Sequence, residues 1–167
     1  MKSPNAGLRF AAVAAAFLML AACSSTDESA GANTSPSSSS STIASGSQED
    51  LVANVGDRVF FDTDRSSLSD EARATLQRQA AWMKLYPNLT FTIEGHADER
   101  GTREYNLALG GRRANSAKDY LVSLGVDGSR LNTVSYGKER PVCLESNENC
   151  WAQNRRAVTV VVSGAAS

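Results

Sequence analysis

Apolar positions follow three regimes along this chain. Residues 10–20 form one unbroken apolar run, preceded by the cationic Lys2 and Arg9. Residues 24–50 are almost without large apolar side chains: eleven of these 27 positions are serine, and Ile43 is the only large aliphatic residue. Residues 51–163 carry periodic patterns and read as one domain, large enough for a single core. A four-residue tail, 164–167, follows.

Within the periodic region, residues 59–62 predict a short strand. Ser69 then suits a helix cap, with Asp70 and Glu71 in the first turn, where carboxylates favour the positive end. Ala72, Leu76, Ala80 and Met83 follow at spacings of 4, 4 and 3, one apolar helical stripe ended by Pro87. Residues 90–94 alternate as a half-buried strand should, with Phe91 and Ile93 on one side and Thr92, Glu94 and His96 on the other. Thr102 suits the cap of a second helix, whose core stripe is Ala114, Ala117, Leu121 and Leu124. Gly125 is placed to end it in the left-handed region, with Val126 behind it. Residues 131–136 and 157–162 supply two more strands. The order β-α-β-α-β-β predicts an α+β sandwich with its helices on one face of a sheet.

The first regime changes the picture of where the domain resides. A run of 11 apolar residues is shorter than the ~20 needed to span a bilayer and fits the core of an export signal over residues 1–22. Leu20, Ala21, Ala22 and Cys23 resemble a lipobox, in which the Cys23 thiol takes a diacylglycerol group. Two or more acyl chains anchor a protein stably. Ser24, in place of an Asp, points to sorting toward the inner leaflet of an outer membrane. Residues 23–50 then act as lipidated start and flexible tether. A segment of this composition cannot bury enough apolar surface to offset its ordering entropy. As a coil it averages roughly 30 Å end to end.

Charge narrows the partners. Losing Lys2 and Arg9 with the signal leaves 15 basic against 18 acidic side chains, a net charge of −3. That gives no basic footprint for nucleic acid. Once Cys23 carries lipid, Cys143 and Cys150 remain, and the exported location permits a bridge between them closing a short loop.

Several segments carry a resemblance. They are Phe61-Asp62-Thr63-Asp64, Glu94-Gly95-His96-Ala97-Asp98, Gly101, Tyr105-Asn106-Leu107-Ala108-Leu109 and Arg112-Arg113-Ala114. Two later segments, 136–141 and 154–158, fit the same pattern. In this order and spacing they resemble the OmpA-like peptidoglycan-binding domain family over residues 58–162. With the lipobox and tether, the chain is similar to that family's lipoprotein branch in the Tol–Pal system. The resemblance implies an OmpA-like βαβαββ sandwich with helices on one face of a small mixed sheet. It implies non-covalent binding of the peptide stem of peptidoglycan, chiefly its meso-diaminopimelate. It also implies TolB and other Tol–Pal components as partners, and an outer-membrane anchor with the domain in the periplasm.

The free end of diaminopimelate is a zwitterion, so its receptor needs an acid and a base at fixed separation. In the family the acid lies in the Gly-His-x-Asp loop, matched by Asp98, and the base in the helix motif, matched by Arg113. A planar guanidinium grips a carboxylate with two parallel hydrogen bonds. Asn106, Leu109 and Arg113 recur at spacings of 3 and 4 and share a helix face. Phe61, Asp62 and Thr63 help line the ligand site in the family; Phe61 fits a core position equally well, and Tyr105 fits either packing or a ligand wall. Arg113 also suits a structural pairing with Asp98. The family usually has Ser after the helix Leu, where this chain has Gly110 and Gly111. Two glycines inside a helix cost ~1 kcal/mol each relative to Ala and suit either a close backbone approach or a local loosening.

Catalysis is not expected. Glu94, His96 and Asp98 alternate on one strand face, yet His96 is the only histidine. No His-Glu-x-x-His segment, nucleophile elbow or P-loop occurs. No metal and no cofactor is expected.

Overall fold

A computed structural model describes residues 43–163. The expected signal segment, Cys23, most of the expected tether and residues 164–167 lie outside the described residues. No helix among the described residues is long and apolar enough to cross a membrane.

The described chain opens with a helical turn, α1 (Gln48–Asp50), running on into a π-helical turn, Leu51–Val55. It continues through β1 (Arg58–Phe60), α2 (Asp70–Leu85), β2 (Thr90–His96) and α3 (Arg103–Ser123). A 3₁₀ turn, Gly128–Arg130, leads into β3 (Leu131–Gly137), α4 (Glu148–Asn154) and β4 (Arg156–Ser163). The four strands make one sheet in the order β1-β4-β2-β3. β2 and β3 run parallel, joined by the α3 crossover, whereas β4 is antiparallel to both β1 and β2. The sheet is therefore mixed, and α2 and α3 pack on one of its faces.

Phe91 and Ile93 are fully buried against Leu76 and Met83 of α2 and Ala114, Ala117 and Leu121 of α3. Each such side chain contributes about 1.5–3 kcal/mol by leaving water. The caps form where the sequence places them. Ser69 accepts a hydrogen bond from the Ala72 amide, and Thr102 from the Tyr105 amide. At the far end of α3, Gly125 takes φ +88°. Its amide donates to Val122 and that of Val126 donates to Leu121, closing the helix as a Schellman motif.

Three differences from the sequence expectation matter. First, the body begins before residue 51. Ser47 caps α1, Leu51 is wholly buried, and Trp82 Nε1 donates to Asp50 at 3.0 Å. The Gln48 amide donates to Thr159 O and accepts from the Val161 amide, gripping the later part of β4. Second, β1 ends at Phe60, so Phe61, Asp62 and Thr63 belong to the loop that follows. Third, α4 is an additional helix, capped by Asn147. It begins beside a disulfide between Cys143 and Cys150, whose Cα atoms are 5.0 Å apart.

The two glycines of α3 differ in role, and the helix runs through both without a break. Gly110 lies against Gly95 of β2: a Cβ on Gly95 would collide with the Gly110 carbonyl, and one on Gly110 would come within 2.8 Å of Gly95 O. This close approach sets α3 low over the sheet. A Cβ on Gly111 would meet only Ser135 Cβ, at 3.9 Å.

Candidate functional site

β2 ends at His96, and the chain passes through a short loop, 97–102, into α3. Several bonds fix that loop. The Ala97 amide donates to Gly137 O at 2.8 Å, Asn106 Nδ2 donates to Arg100 O at 2.8 Å, and Lys138 Nζ donates to the carbonyls of Glu99 and Gly101. Asp98 is thereby held at the start of α3, where Asn106, Leu109 and Arg113 form one buried face of the helix.

Asp98 is buried and fully engaged. Its Oδ1 accepts from the amide and the Nε of Arg100, both at 3.1 Å. Its Oδ2 accepts from Arg100 Nη2 at 2.7 Å and Arg155 Nη1 at 3.4 Å. Burial pushes this carboxyl up, but the hydrogen bonds and charge of Arg100, with Arg155, hold it below the ordinary carboxylate range. Asp98 is therefore ionised at neutral pH.

Arg113 has no exposed surface. Its Nε donates to Arg65 O at 2.8 Å, Nη1 to His96 O at 2.9 Å and Nη2 to Asp62 O at 3.0 Å. Three chain segments distant in sequence are thus tied by one guanidinium. Burial pulls its pKa down to about 10, with Asp98 opposing that pull, so it too is charged at neutral pH. Arg113 and Asp98 feel each other's charge without sharing a hydrogen bond. The structural pairing considered for Arg113 takes the form of carbonyl contacts, and the direct partners of Asp98 are Arg100 and Arg155.

Above these two charges lies a cavity of about 270 Å³. Of the residues singled out in the sequence, the structure gathers Asp98, Arg113, Thr63, Tyr105, Asn106 and Leu109 around it. Tyr105 is a partly exposed wall, its hydroxyl donating to Asp64. Phe61 and Asp62 do not line this cavity. Phe61 is a core residue with the Arg113 guanidinium 5.3 Å from its ring centroid. Both residues border a second cavity of about 480 Å³, which Arg155 also lines.

Four contributors were not singled out as site residues in the sequence. Arg100 and Asp64 line the first cavity. Arg155 joins Asp98 to Glu148, to which it donates at 2.6 Å, and to Phe61 O. Trp151 lies under the Arg100 guanidinium, 4.1 Å from carbon to ring centroid, and its Nε1 donates to Glu99 Oε1 at 3.0 Å. The two-residue spacing of Asp98 and Arg100 in a loop before a helix was the available signal for Arg100. Arg155 lies 57 residues from Asp98, and its signal was its place in segment 154–158, which fits the family pattern.

A mixed sheet with helices on one face, and a cavity between the end of β2 and the start of α3 carrying both signs of charge, define the class. The chain belongs to the OmpA family, whose pattern matches residues 60–157. Its relatives within that family are peptidoglycan-associated lipoproteins. It is 55% identical to that of Rhizobium meliloti over 144 residues, covering 86% of this chain and 82% of the relative. It is 53% identical to that of Mesorhizobium japonicum over 152 residues, covering 91% and 90%. Among solved structures, the peptidoglycan-associated lipoprotein of Burkholderia pseudomallei matches with a TM-score of 0.62 at 46% identity, covering 64% of this chain and 90% of that one.

Proposed function

We propose that this domain binds the peptide stem of peptidoglycan non-covalently, holding the diaminopimelate end in the cavity beside Asp98 and Arg113. The observation that carries the reading is the cavity itself: a buried carboxylate and a buried guanidinium, both charged at neutral pH, beneath a wall formed by Tyr105 and Leu109. A zwitterionic end group finds both signs of charge there without a large hydrophobic contact. The names of the relatives support the same reading. Each charge-assisted bond is worth about 1.5–3 kcal/mol net, so two or three give modest affinity per site. A polymer offering many stems to an anchored domain raises the effective concentration.

In this reading Cys23 carries the lipid that holds the chain in the inner leaflet of an outer membrane, and the domain reaches the cell wall across the periplasm. The chain then works as a tie between membrane and wall in the Tol–Pal system, with TolB as a protein partner, and catalyses no reaction. The lipobox residues and the lipoprotein relatives support the anchor, and the resemblance of the sequence motifs is what suggests the Tol–Pal role.

Sedimentation with purified sacculi tests the reading. The domain from residue 43 onward is expected to co-sediment, and Asp98→Asn to lose most of that while retaining its circular dichroism. Full co-sedimentation of Asp98→Asn would count against the site. The same incubation is expected to release no soluble wall fragments.

A further inference from the structure

We propose that the second cavity, beside Phe60 on β1, is a saccharide site that seats the glycan strand from which the stem hangs. The proposal rests on the stem-binding reading above.

The cavity forms where the end of β1 and the loop after it meet the start of α2 and the helix α4. Its volume, about 480 Å³, falls in the range of small-molecule sites. Phe61 and Asp62, expected from the sequence at the ligand site, border this cavity and not the first. Phe60 is the aromatic on its wall that core packing does not explain. β1 alternates, with Val59 turned into the core and Phe60 left 47% exposed. That ring, with Phe61 and Ala152 on the same wall, offers an apolar platform to the C–H face of a sugar and to the methyl of an N-acetyl group.

The polar groups around this platform are acceptors. No hydrogen bond or ion pair engages the carboxylates of Asp62 and Glu71 among the described residues, and Gln153 uses only its Nε2, leaving Oε1 open. A carboxylate only accepts, so this wall matches the hydroxyl donors of a neutral sugar and repels an anion. Arg155, the cation on the same wall, is buried and already engaged by Phe61 O, Asp98 and Glu148. A lone lysine side chain would complement the two acids but fill little of the volume. Continuity with the first cavity favours the wall glycan over any other polyol. Arg155 lines the second cavity and donates at 3.4 Å to Asp98, which lines the first. A three-residue stem reaches roughly 10 Å when extended, so the sugar bearing a stem lodged at Asp98 must lie close by. In the wall polymer the muramic carboxyl is consumed in the bond to the stem, which leaves that sugar uncharged, as the acceptor wall requires.

The test titrates two ligands calorimetrically into the mature chain purified in detergent. One is the free tripeptide L-Ala–D-Glu–meso-diaminopimelate; the other is the same tripeptide carried on its N-acetylglucosamine–N-acetylmuramic acid disaccharide. The disaccharide form should bind about tenfold tighter, the scale of one aromatic contact plus one neutral hydrogen bond. Phe60→Ala and Glu71→Gln should each remove most of that advantage and leave the free tripeptide at its wild-type affinity. Equal wild-type affinities overturn the proposal, as does a Phe60→Ala variant that keeps the full advantage or weakens both ligands alike; stem binding itself stands in each case. Amide spectra of the isotope-labelled chain give a second readout: the signals of Phe60, Glu71 and Gln153 should move with the disaccharide form and not with the free tripeptide. Movement of those signals with a lysine-rich peptide, and none with the disaccharide form, marks a protein-docking surface and overturns the proposal. A wild type that binds neither ligand removes the stem reading and the proposal together.

Discussion

His96 allows a quantitative prediction, because it is the only histidine in the chain and sits at the junction of sheet and site. It is 2% exposed, and neither ring nitrogen has a hydrogen-bond partner among the described residues. Tyr136 stacks near its ring at 5.5 Å. Glu94 Oε2 lies 3.6 Å from Nε2, while burial and then the positive charges of Arg156, Arg140 and Arg58 push its pKa down to about 4. In the unfolded chain an imidazole titrates near ~6.5. Between those two values the unfolded state binds the extra proton and the folded state resists it, so stability rises with pH across this window and is lost as pH falls through it. Linkage then gives a loss of about 2 kcal/mol between pH 7 and pH 5. The Asp98 carboxyl, held low by its arginines, gives up its own contribution only at lower pH and stays out of this window. Urea unfolding at pH 7 and pH 5 measures the difference. His96→Gln, which cannot take up a proton, should flatten the dependence. If the wild type is equally stable at both pH values, or the Gln variant keeps the full slope, His96 is not the buried neutral base described here.

Three further outcomes are expected. Arg113→Met should cost about 3–5 kcal/mol, because it deprives three buried-loop carbonyls of charge-assisted donors; denaturant midpoints measure it, and a loss under 1 kcal/mol would contradict the role drawn for this guanidinium. Gly111→Ala should stabilise the domain by about 0.5–1 kcal/mol, whereas Gly110→Ala should destabilise it by about 1–3 kcal/mol through overpacking against β2; the two thermal midpoints should move in opposite directions. The double Cys143→Ser, Cys150→Ser variant should lose about 2.5 kcal/mol by loop entropy. The intact mass of unreduced exported protein should correspond to one disulfide, and two free thiols would remove the basis of that estimate.

What could be read from the sequence depended on whether a pattern was local. α2, β2 and α3 follow from periodicity because their buried stripes are contiguous and the two helix caps, Ser69 and Thr102, are of the favoured types. The end of α3 follows from Gly125 for the same reason. The turn at Gln48–Asp50 stayed hidden in a serine-rich stretch, since its stability comes from Trp82, Thr159 and Val161, all distant in sequence. α4 stayed hidden because a seven-residue helix of mostly polar residues carries no stripe. At the site, the resemblance of the Gly-His-x-Asp loop and of the Asn106, Leu109 and Arg113 face to the family's motifs located the cavity. It could not assign donors to acceptors. Nothing local distinguishes an arginine that will hold three carbonyls, Arg113, from one that will lie open at a rim, Arg100. That division arises only when the loop after β1 and the helix before β4 close around the end of β2.

The way the chain enters β4 has a mechanical consequence. Gln48 holds the later part of this strand, near Val161, whereas Arg155, just before its other end, holds Asp98. A pull between the segment entering at Ser47 and a molecule lodged at the site would therefore run lengthwise along β4. That strand is antiparallel to a neighbour on each side. Tension along it loads the ladder bonds on both flanks together, in shear, instead of peeling them apart one after another. Under such a pull the domain would be loaded in its strong direction.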